Sequence, residues 1–188
     1  YQDRKSVYYF IGDPEGKMSG ELTEAVKNNP FSLILLDEFE KAHPEVLNLF
    51  LSLFDEGRLT DNIGQVIDFT HTIIIATSNA LSEFIIEELD KKTNFKEITK
   101  RLKKKLVAFF KPELLNRFDE VVVFKPLSPS YLKEIVKLKL TELESSLNFS
   151  KKIEINFSQE VIQKIAQLGY NPFFGARPLN SVIRHYIK

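Results

Sequence analysis

The sequence of 188 residues contains no cysteine, which excludes disulfide bonds and thiolate metal sites. No apolar run approaches the roughly 20 residues that span a bilayer, and the first residues lack the apolar segment of a signal peptide. Charges of opposite sign cancel to a formal net charge of zero, so nothing draws the whole chain toward nucleic acid or anionic membranes. We therefore expect an intracellular protein, in the cytoplasm or another reducing compartment, without a nucleic-acid or membrane partner.

Hydrophobic residues make up 43% of the sequence, enough for a core, and their pattern changes near Pro126. Before that point, apolar runs at 32–36 and 72–76 alternate with helical patterns, which predicts a mainly parallel sheet whose strands are buried on both faces. Short strands are also predicted at 121–124 and 153–157. The sequence thus predicts an α/β domain over residues 1–126 and a mostly helical subdomain over residues 127–188. Because the first residue is Tyr and the last helical pattern stops at Lys188, we expect a piece of a longer protein.

Two carboxylates follow the first buried run, in the stretch Leu-Ile-Leu-Leu-Asp-Glu at 33–38. Ligands of open α/β sheets bind at the carboxyl ends of the strands, which is where Asp37 and Glu38 would emerge. Asp37 would then hold the waters of a nucleotide-bound Mg²⁺, and Glu38 would polarise an attacking water. The plainer interpretation is a pair of solvated acids at a strand end.

Three further polar residues could also contact a phosphate or an attacking water. Asn79 comes after the second apolar run, where its amide could bond a water or a phosphate, or simply cap the next helix. Arg117 is either half of a surface ion pair or an arginine finger that reaches a neighbouring subunit's phosphates. Arg177 precedes a proline at a helix start, which favours a bound phosphate or a solvent-facing side chain.

In this order and spacing the motifs closely resemble the Clp family of AAA+ unfoldases, most of all the second ATPase module of ClpB- and ClpC-type proteins. The most specific stretches are LLDEFEKAHP at 35–44, DEGRLTD at 55–61, NRFDE at 116–120 and GARPL at 175–179. By this resemblance Asp37 and Glu38 are the Walker B pair, and Asp37 holds Mg²⁺ through water. Asn79 is sensor 1, Arg117 the trans-acting finger and Arg177 the nucleotide-contacting sensor 2. The family uses ATP and Mg²⁺, forms hexameric rings and threads polypeptide through a central pore.

The phosphate-binding pattern Gly-x-x-x-x-Gly-Lys-[Ser/Thr] does not occur in the sequence. The stretch 12–18 only mimics it, because three residues separate its glycines and Met18 stands where a hydroxyl is needed. We therefore expect the chain by itself to be inactive as an ATPase. In the family this region is the pore loop, which usually carries an aromatic residue. Here Lys17 and Met18 stand in its place, and we expect the loop to have few buried apolar contacts and to touch the threaded polypeptide.

The resemblance implies an ATP-driven homo-oligomeric ring, a hexamer by family analogy, that unfolds or disaggregates polypeptides. The alternatives are the regulatory ATPase of a Clp protease and a nucleotide-insensitive ring scaffold. No Gly-Leu/Phe tripeptide of peptidase-docking members lies between Asn79 and Phe110, which tilts the prediction toward a remodeller and leaves a peptidase partner open. Basic residues at 91–105 are interleaved with acids and have no stacking platform, so they predict a solvated helix face rather than nucleic-acid contact.

Overall fold

The structure of the protein is a computed structural model that describes residues 3–171 and 175–187. It contains two compact units. Unit 1 comprises Tyr1–Ile85 and Lys92–Val122, and unit 2 comprises Ile86–Lys91 and Val123–Lys188. The predicted α/β class, with a parallel sheet in the front part and helices in the C-terminal part, is confirmed.

Unit 1 contains two small sheets and several helices. Strands β1 (Leu33–Leu36) and β4 (Ile73–Ala76) pair in parallel, and β2 (Arg58–Thr60) and β3 (Val66–Asp68) form an antiparallel hairpin. The helices are α1 (Val7–Ile11), α2 (Glu21–Asn28), α3 (Pro44–Glu56), α4 (Ser82–Asp90), α5 (Phe95–Lys105) and α6 (Pro112–Leu115). Helix α4 begins in unit 1 and ends in unit 2, and short 3₁₀ turns lie at Arg4–Ser6, Phe39–Lys41 and Leu106–Ala108.

An aromatic core under helix α3 supports the loop that follows β1. Phe50 is fully buried, and its ring lies 5.6 Å from that of Phe10 and 5.4 Å from that of Phe39, both edge-on. The Phe39 ring also stacks on Phe110 at 5.9 Å. Edge-on and stacked aromatic pairs each contribute about 0.5–1.5 kcal/mol beyond area burial. Because Phe39 follows Glu38 directly, this packing fixes the backbone at the end of β1.

The prediction that the parallel strands are buried on both faces is wrong. Every second residue is exposed, including Leu33 at 60% and Leu35 at 59%, with Ile73 and Ile75 beside them on β4. The two-stranded sheet is covered on one face only within the described part of the chain. The apolar run correctly predicted a strand, but burial depends on what packs against it.

The prediction of short strands at 121–124 and 153–157 is also wrong. Neither segment belongs to a strand, and neither takes part in the sheets of the described residues. Alternating apolar residues make a strand only where another backbone supplies ladder partners.

Unit 2 is a helical cluster of α7 (Pro129–Lys151), α8 (Gln159–Leu168) and α9 (Leu179–Ile187). Ser128 caps α7 and Ser158 caps α8, each accepting a hydrogen bond from a backbone N–H of the first turn. The core is formed by Leu132, Val136, Leu140, Leu143, Ile162, Ile165, Ala166, Leu179 and Ile183. None of the helices among the described residues has the length and apolar character needed to cross a membrane.

Candidate functional site

The carboxyl ends of β1 and β4 bring two polar segments together. Leu36 lies opposite Ala76 in the parallel register. Beyond the strands the pairing continues, because the Thr77 N–H donates to the Leu36 carbonyl at 2.9 Å and the Phe39 N–H donates to the Thr77 carbonyl at 3.0 Å. Asp37 and Glu38 therefore lie beside residues 77–79, as the motif order predicts.

Thr77 links the two carboxylate residues. Its hydroxyl donates to Asp37 Oδ1 and accepts a hydrogen bond from the Glu38 N–H at 3.2 Å. One side chain thus holds both the carboxylate of Asp37 and the backbone of Glu38. Sequence reasoning assigned Thr77 no role. The available signal was its position, since it is the first polar residue after β4 and β4 pairs with β1 in parallel.

Glu38 has an unusual backbone conformation and a well-held side chain. Its φ of 53° and ψ of 46° lie in the left-handed region, which costs a non-glycine residue about 1–3 kcal/mol. Its Oε1 accepts a hydrogen bond from Asn79 Nδ2 at 3.2 Å, and its Oε2 pairs with Lys41 Nζ at 2.8 Å. Strain of this kind persists where the surroundings over-determine the conformation, and it concentrates at functional sites.

Glu40 anchors the segment that carries Asn79. Its Oε1 accepts a hydrogen bond from the Asn79 N–H at 3.1 Å, while its buried Oε2 has no hydrogen-bond partner among the described residues. A buried unpaired oxygen costs about 1–3 kcal/mol. Glu40 was not predicted to belong to the site, because its position shortly after Glu38 does not indicate a contact with Asn79.

An open cleft of about 680 Å³ runs along β1 in unit 1. Asp37, Glu38 and Lys41 lie at its polar end, and apolar residues of α2 and α3, such as Leu22, Val26 and Val46, line the rest. No cluster of three or more His, Asp or Glu side chains suited to a metal ion occurs within residues 3–171 and 175–187. Mg²⁺ keeps most of its waters and takes one or two carboxylates plus substrate phosphates, so Asp37 fits as a single, water-mediated ligand.

Arg117 is not brought to this edge of the sheet. Its Nε lies 2.5 Å from Asp55 Oδ1, and its side chain is 53% exposed. Asp55 is near the end of α3, whereas Pro44 at the start of that helix follows the Glu38 segment. The eleven positions that separate Asp55 from Pro44 correspond to about 16 Å of helix. Within this chain, Arg117 therefore forms a surface ion pair, at a distance from the two carboxylates.

Arg177 belongs to unit 2. It is exposed in the turn that leads into α9, where the Leu179 N–H donates to the Ala176 carbonyl at 3.1 Å. Pro178 precedes the helix as expected from the sequence. The structure thus places Arg177 at a helix N-terminus.

Residues 12–20, here called the 12–20 loop, carry the predicted polypeptide-contacting pair. Gly12 and Ser19 form an antiparallel bridge, and Asp13 Oδ1 accepts hydrogen bonds from the N–H groups of Lys17, at 2.7 Å, and Met18, at 3.1 Å. The Lys17 side chain pairs with Glu15. The expectation of few buried apolar contacts is confirmed for residues 14–19, which are all exposed, and the Asp13 carboxylate closes the backbone turn.

Two family models cover nearly the whole chain. The model of the AAA domain (Cdc48 subfamily) matches residues 1–121, and that of the C-terminal D2-small domain of ClpB matches residues 127–188. The chaperone protein ClpB of Prochlorococcus marinus is 46% identical over 98% of this chain, which covers 22% of that protein. The mitochondrial ClpB4 of Arabidopsis thaliana is 38% identical over the whole chain, which covers 20% of it. The chain thus spans about a fifth of the length of these curated relatives.

A solved structure shows the same fold. The S. cerevisiae Hsp104:casein complex in its extended conformation matches all of this chain and 33% of its own, with a TM-score of 0.85 and 34% identity. The resemblance that the motifs indicated is therefore confirmed. The chain belongs to the AAA domain family, Cdc48 subfamily, and its C-terminal part to the D2-small domains of ClpB proteins.

Proposed function

We propose that this chain is the hydrolytic part of an ATP-driven ring that unfolds or disaggregates polypeptides. The observation that carries the proposal is the meeting of Asp37, Glu38, Thr77 and Asn79 at the carboxyl edge of a parallel sheet. The ClpB chaperones and the casein-bound Hsp104 among its relatives support it. Because the chain spans about a fifth of the length of the curated relatives, hydrolysis and remodelling are proposed for the full-length protein.

In this proposal the two carboxylates have separate tasks. Asp37 holds the waters of the Mg²⁺ that accompanies ATP, and that ion would neutralise phosphate charge when bound. Glu38 orients the attacking water and accepts its proton. Asn79 already donates to Glu38 Oε1, so it keeps that carboxylate in place and lies within reach of the same water. The left-handed turn at Glu38 presents the side chain in one fixed direction.

The two arginines would act on the phosphates from elsewhere. Arg117 is exposed, and its ion pair within the described residues is with the surface acid Asp55, so it is available to serve a neighbouring subunit's site as an arginine finger. Arg177, at the start of α9, would contact the nucleotide from the helical subdomain. We propose the domain boundaries 1–126 and 127–188 for this arrangement, which the ranges of the two family models support.

The 12–20 loop would contact the polypeptide through Lys17 and Met18. Both side chains are exposed, and the closed backbone turn presents them outward from unit 1. We further propose a homo-hexamer in the cytoplasm or another reducing compartment. A Clp protease subunit is the second candidate, favoured only by the general likeness of Clp modules.

Reactivation of an aggregated enzyme tests the proposed function. The full-length protein, given Mg-ATP, should restore activity to a heat-aggregated reporter enzyme, with any co-chaperones that it needs supplied. ATP hydrolysis that never restores the reporter, but supports its degradation once a peptidase is added, would favour the protease alternative. Absence of both hydrolysis and reactivation would favour the scaffold.

Replacement of Thr77 by Ala should lower the ATPase rate of the full-length protein about 10- to 100-fold. The hydroxyl bonds a carboxylate, and such charge-assisted bonds contribute about 1.5–3 kcal/mol. Thr77→Ser keeps the hydroxyl and should retain most of the activity. Steady-state hydrolysis measured on both variants checks this, and equal rates for Ala and wild type would show that Thr77 is not needed to hold Asp37.

A further inference from the structure

The tip of the β2–β3 hairpin lies directly against the 12–20 loop. The Asn62 N–H donates to the Ile11 carbonyl at 2.8 Å, and Asn62 Nδ2 donates to the Met18 carbonyl at 3.3 Å. Gly12, at φ +92°, packs on the same side chain so closely that a Cβ there would lie 2.4 Å from Asn62 Cγ. Asn62 therefore contacts the loop near both of its ends.

The hairpin tip that carries Asn62 is itself well fixed. Asp61 is only 8% exposed, and its Oδ1 accepts hydrogen bonds from the N–H groups of Ile63, at 3.0 Å, and Gln65, at 2.7 Å. The Asp61 N–H also donates to the Gln65 carbonyl at 2.9 Å. A buried carboxylate that accepts two backbone hydrogen bonds holds a turn in one shape. The tip thus gives the loop a rigid neighbour.

The Met18 carbonyl shows how the loop depends on this neighbour. It accepts one hydrogen bond from inside the loop, from the Asp13 N–H at 3.0 Å, and one from outside, from Asn62 Nδ2. The outside bond ties the residue that we propose to contact polypeptide to a segment 44 positions away. Loss of Asn62 would remove the outside bond to the Met18 carbonyl and leave the bond from the Asp13 N–H.

Ile63 follows Asn62 and is 73% exposed. A single exposed isoleucine is ordinary on a protein surface. This one is joined through Asn62 to a loop that holds no aromatic residue and whose largest apolar side chain, Met18, is 36% exposed. The two segments, joined by the hydrogen bond from Asn62 to the Met18 carbonyl, together offer a branched and a flexible exposed apolar side chain, which suits contact with varied polypeptide side chains.

We propose that the hairpin tip and the 12–20 loop form one polypeptide-contacting surface, in which Asn62 positions the loop and Ile63 supplies the large apolar side chain that the loop lacks. The partner is an extended, unfolded polypeptide. This inference rests on the proposed function. It differs from it in assigning part of the contact to the hairpin.

Photo-crosslinking tests the surface directly. The full-length protein would carry p-benzoylphenylalanine at position 18, 63 or 149, in separate variants, and would be illuminated with labelled casein and a slowly hydrolysed ATP analogue. Phe149 is a matched control because it is 93% exposed on α7 in unit 2. We expect nucleotide-dependent adducts from positions 18 and 63 and none from 149. Adducts from 18 without 63 would overturn the role of the hairpin and leave the proposed function standing. Adducts from neither would count against both.

The positioning role of Asn62 calls for a kinetic measurement. Asn62→Ala should raise the casein concentration that half-maximally stimulates the ATPase about three- to tenfold, the range expected for one neutral hydrogen bond. The exposed Asn148→Ala on α7 should leave it unchanged. A lower maximal rate with unchanged half-saturating casein would show that Asn62 supports the fold or the nucleotide site, and would overturn its role toward the loop.

Discussion

Glu38→Gln in the full-length protein is expected to lower ATP hydrolysis at least about 100-fold while ATP stays bound. The amide keeps an oxygen that can accept the hydrogen bond from Asn79, so the local geometry is preserved. It cannot accept a proton from water, and general-base catalysis contributes about 10²- to 10⁴-fold. Hydrolysis is measured at steady state, and retention of labelled nucleotide by filter binding, with any other ATPase module of the protein silenced.

A matched control separates loss of the base from loss of an ion pair. Glu38 pairs with Lys41 three positions later, and Glu134 makes the same kind of pair with Lys137 on α7, at 3.0 Å. Exposed pairs of this type contribute about 0–1 kcal/mol. Glu134→Gln should therefore leave hydrolysis unchanged. If Glu38→Gln hydrolyses ATP at the wild-type rate, Glu38 is not the base.

Arg117→Ala should lower hydrolysis about 1000-fold or more, because an arginine finger contributes about 10³- to 10⁵-fold. Nucleotide binding by each subunit should persist, since Arg117 lies away from Asp37 and Glu38 of its own chain. The measurement is steady-state hydrolysis beside equilibrium nucleotide binding. Rings mixed from Arg117→Ala and Glu38→Gln subunits should regain some hydrolysis, wherever an intact Glu38 site meets an intact Arg117.

Asp55→Ala is the control for Arg117, because it breaks the same ion pair and leaves the guanidinium in place. If Arg117 acts only through this surface pair, the two variants will behave alike, with a stability change of about 0–1 kcal/mol and normal hydrolysis. A finger requires that Asp55→Ala remain active and Arg117→Ala fail. Mixed rings that never exceed either mutant, under proven subunit exchange, would remove the support for action in trans.

The order of the strands and of the acids that follow them was predictable because each depends on a short stretch of sequence. An apolar run followed by Asp37 and Glu38, and a second run followed by Asn79, suffice to place these residues at one sheet edge once the strands are parallel. The alternative interpretation, a pair of acids that contact only solvent, does not describe Glu38, because its carboxylate is held by Asn79 and Lys41 together.

What the sequence could not predict depends on partners distant along the chain. The ion pair of Arg117 joins it to an acid 62 positions earlier, and Asn62 meets Met18 across 44 positions. The predicted burial of β1 was wrong for a related reason, because an apolar strand is buried only if other parts of the protein pack on both of its faces. The left-handed backbone at Glu38 has no local signal either, since glycine or asparagine is the residue type that usually marks it.

At Glu38, the residue type that the left-handed backbone conformation favours differs from the residue type that the proposed hydrolysis requires. Glycine or asparagine at position 38 would relieve about 1 kcal/mol of backbone strain. Either would also remove the carboxylate that faces Asn79 and Lys41. Under the proposed role of Glu38 as the base, substitutions chosen only to raise the melting temperature would therefore favour a more stable protein that no longer hydrolyses ATP at this site. Glutamate is therefore present at position 38 although the backbone conformation there favours glycine or asparagine.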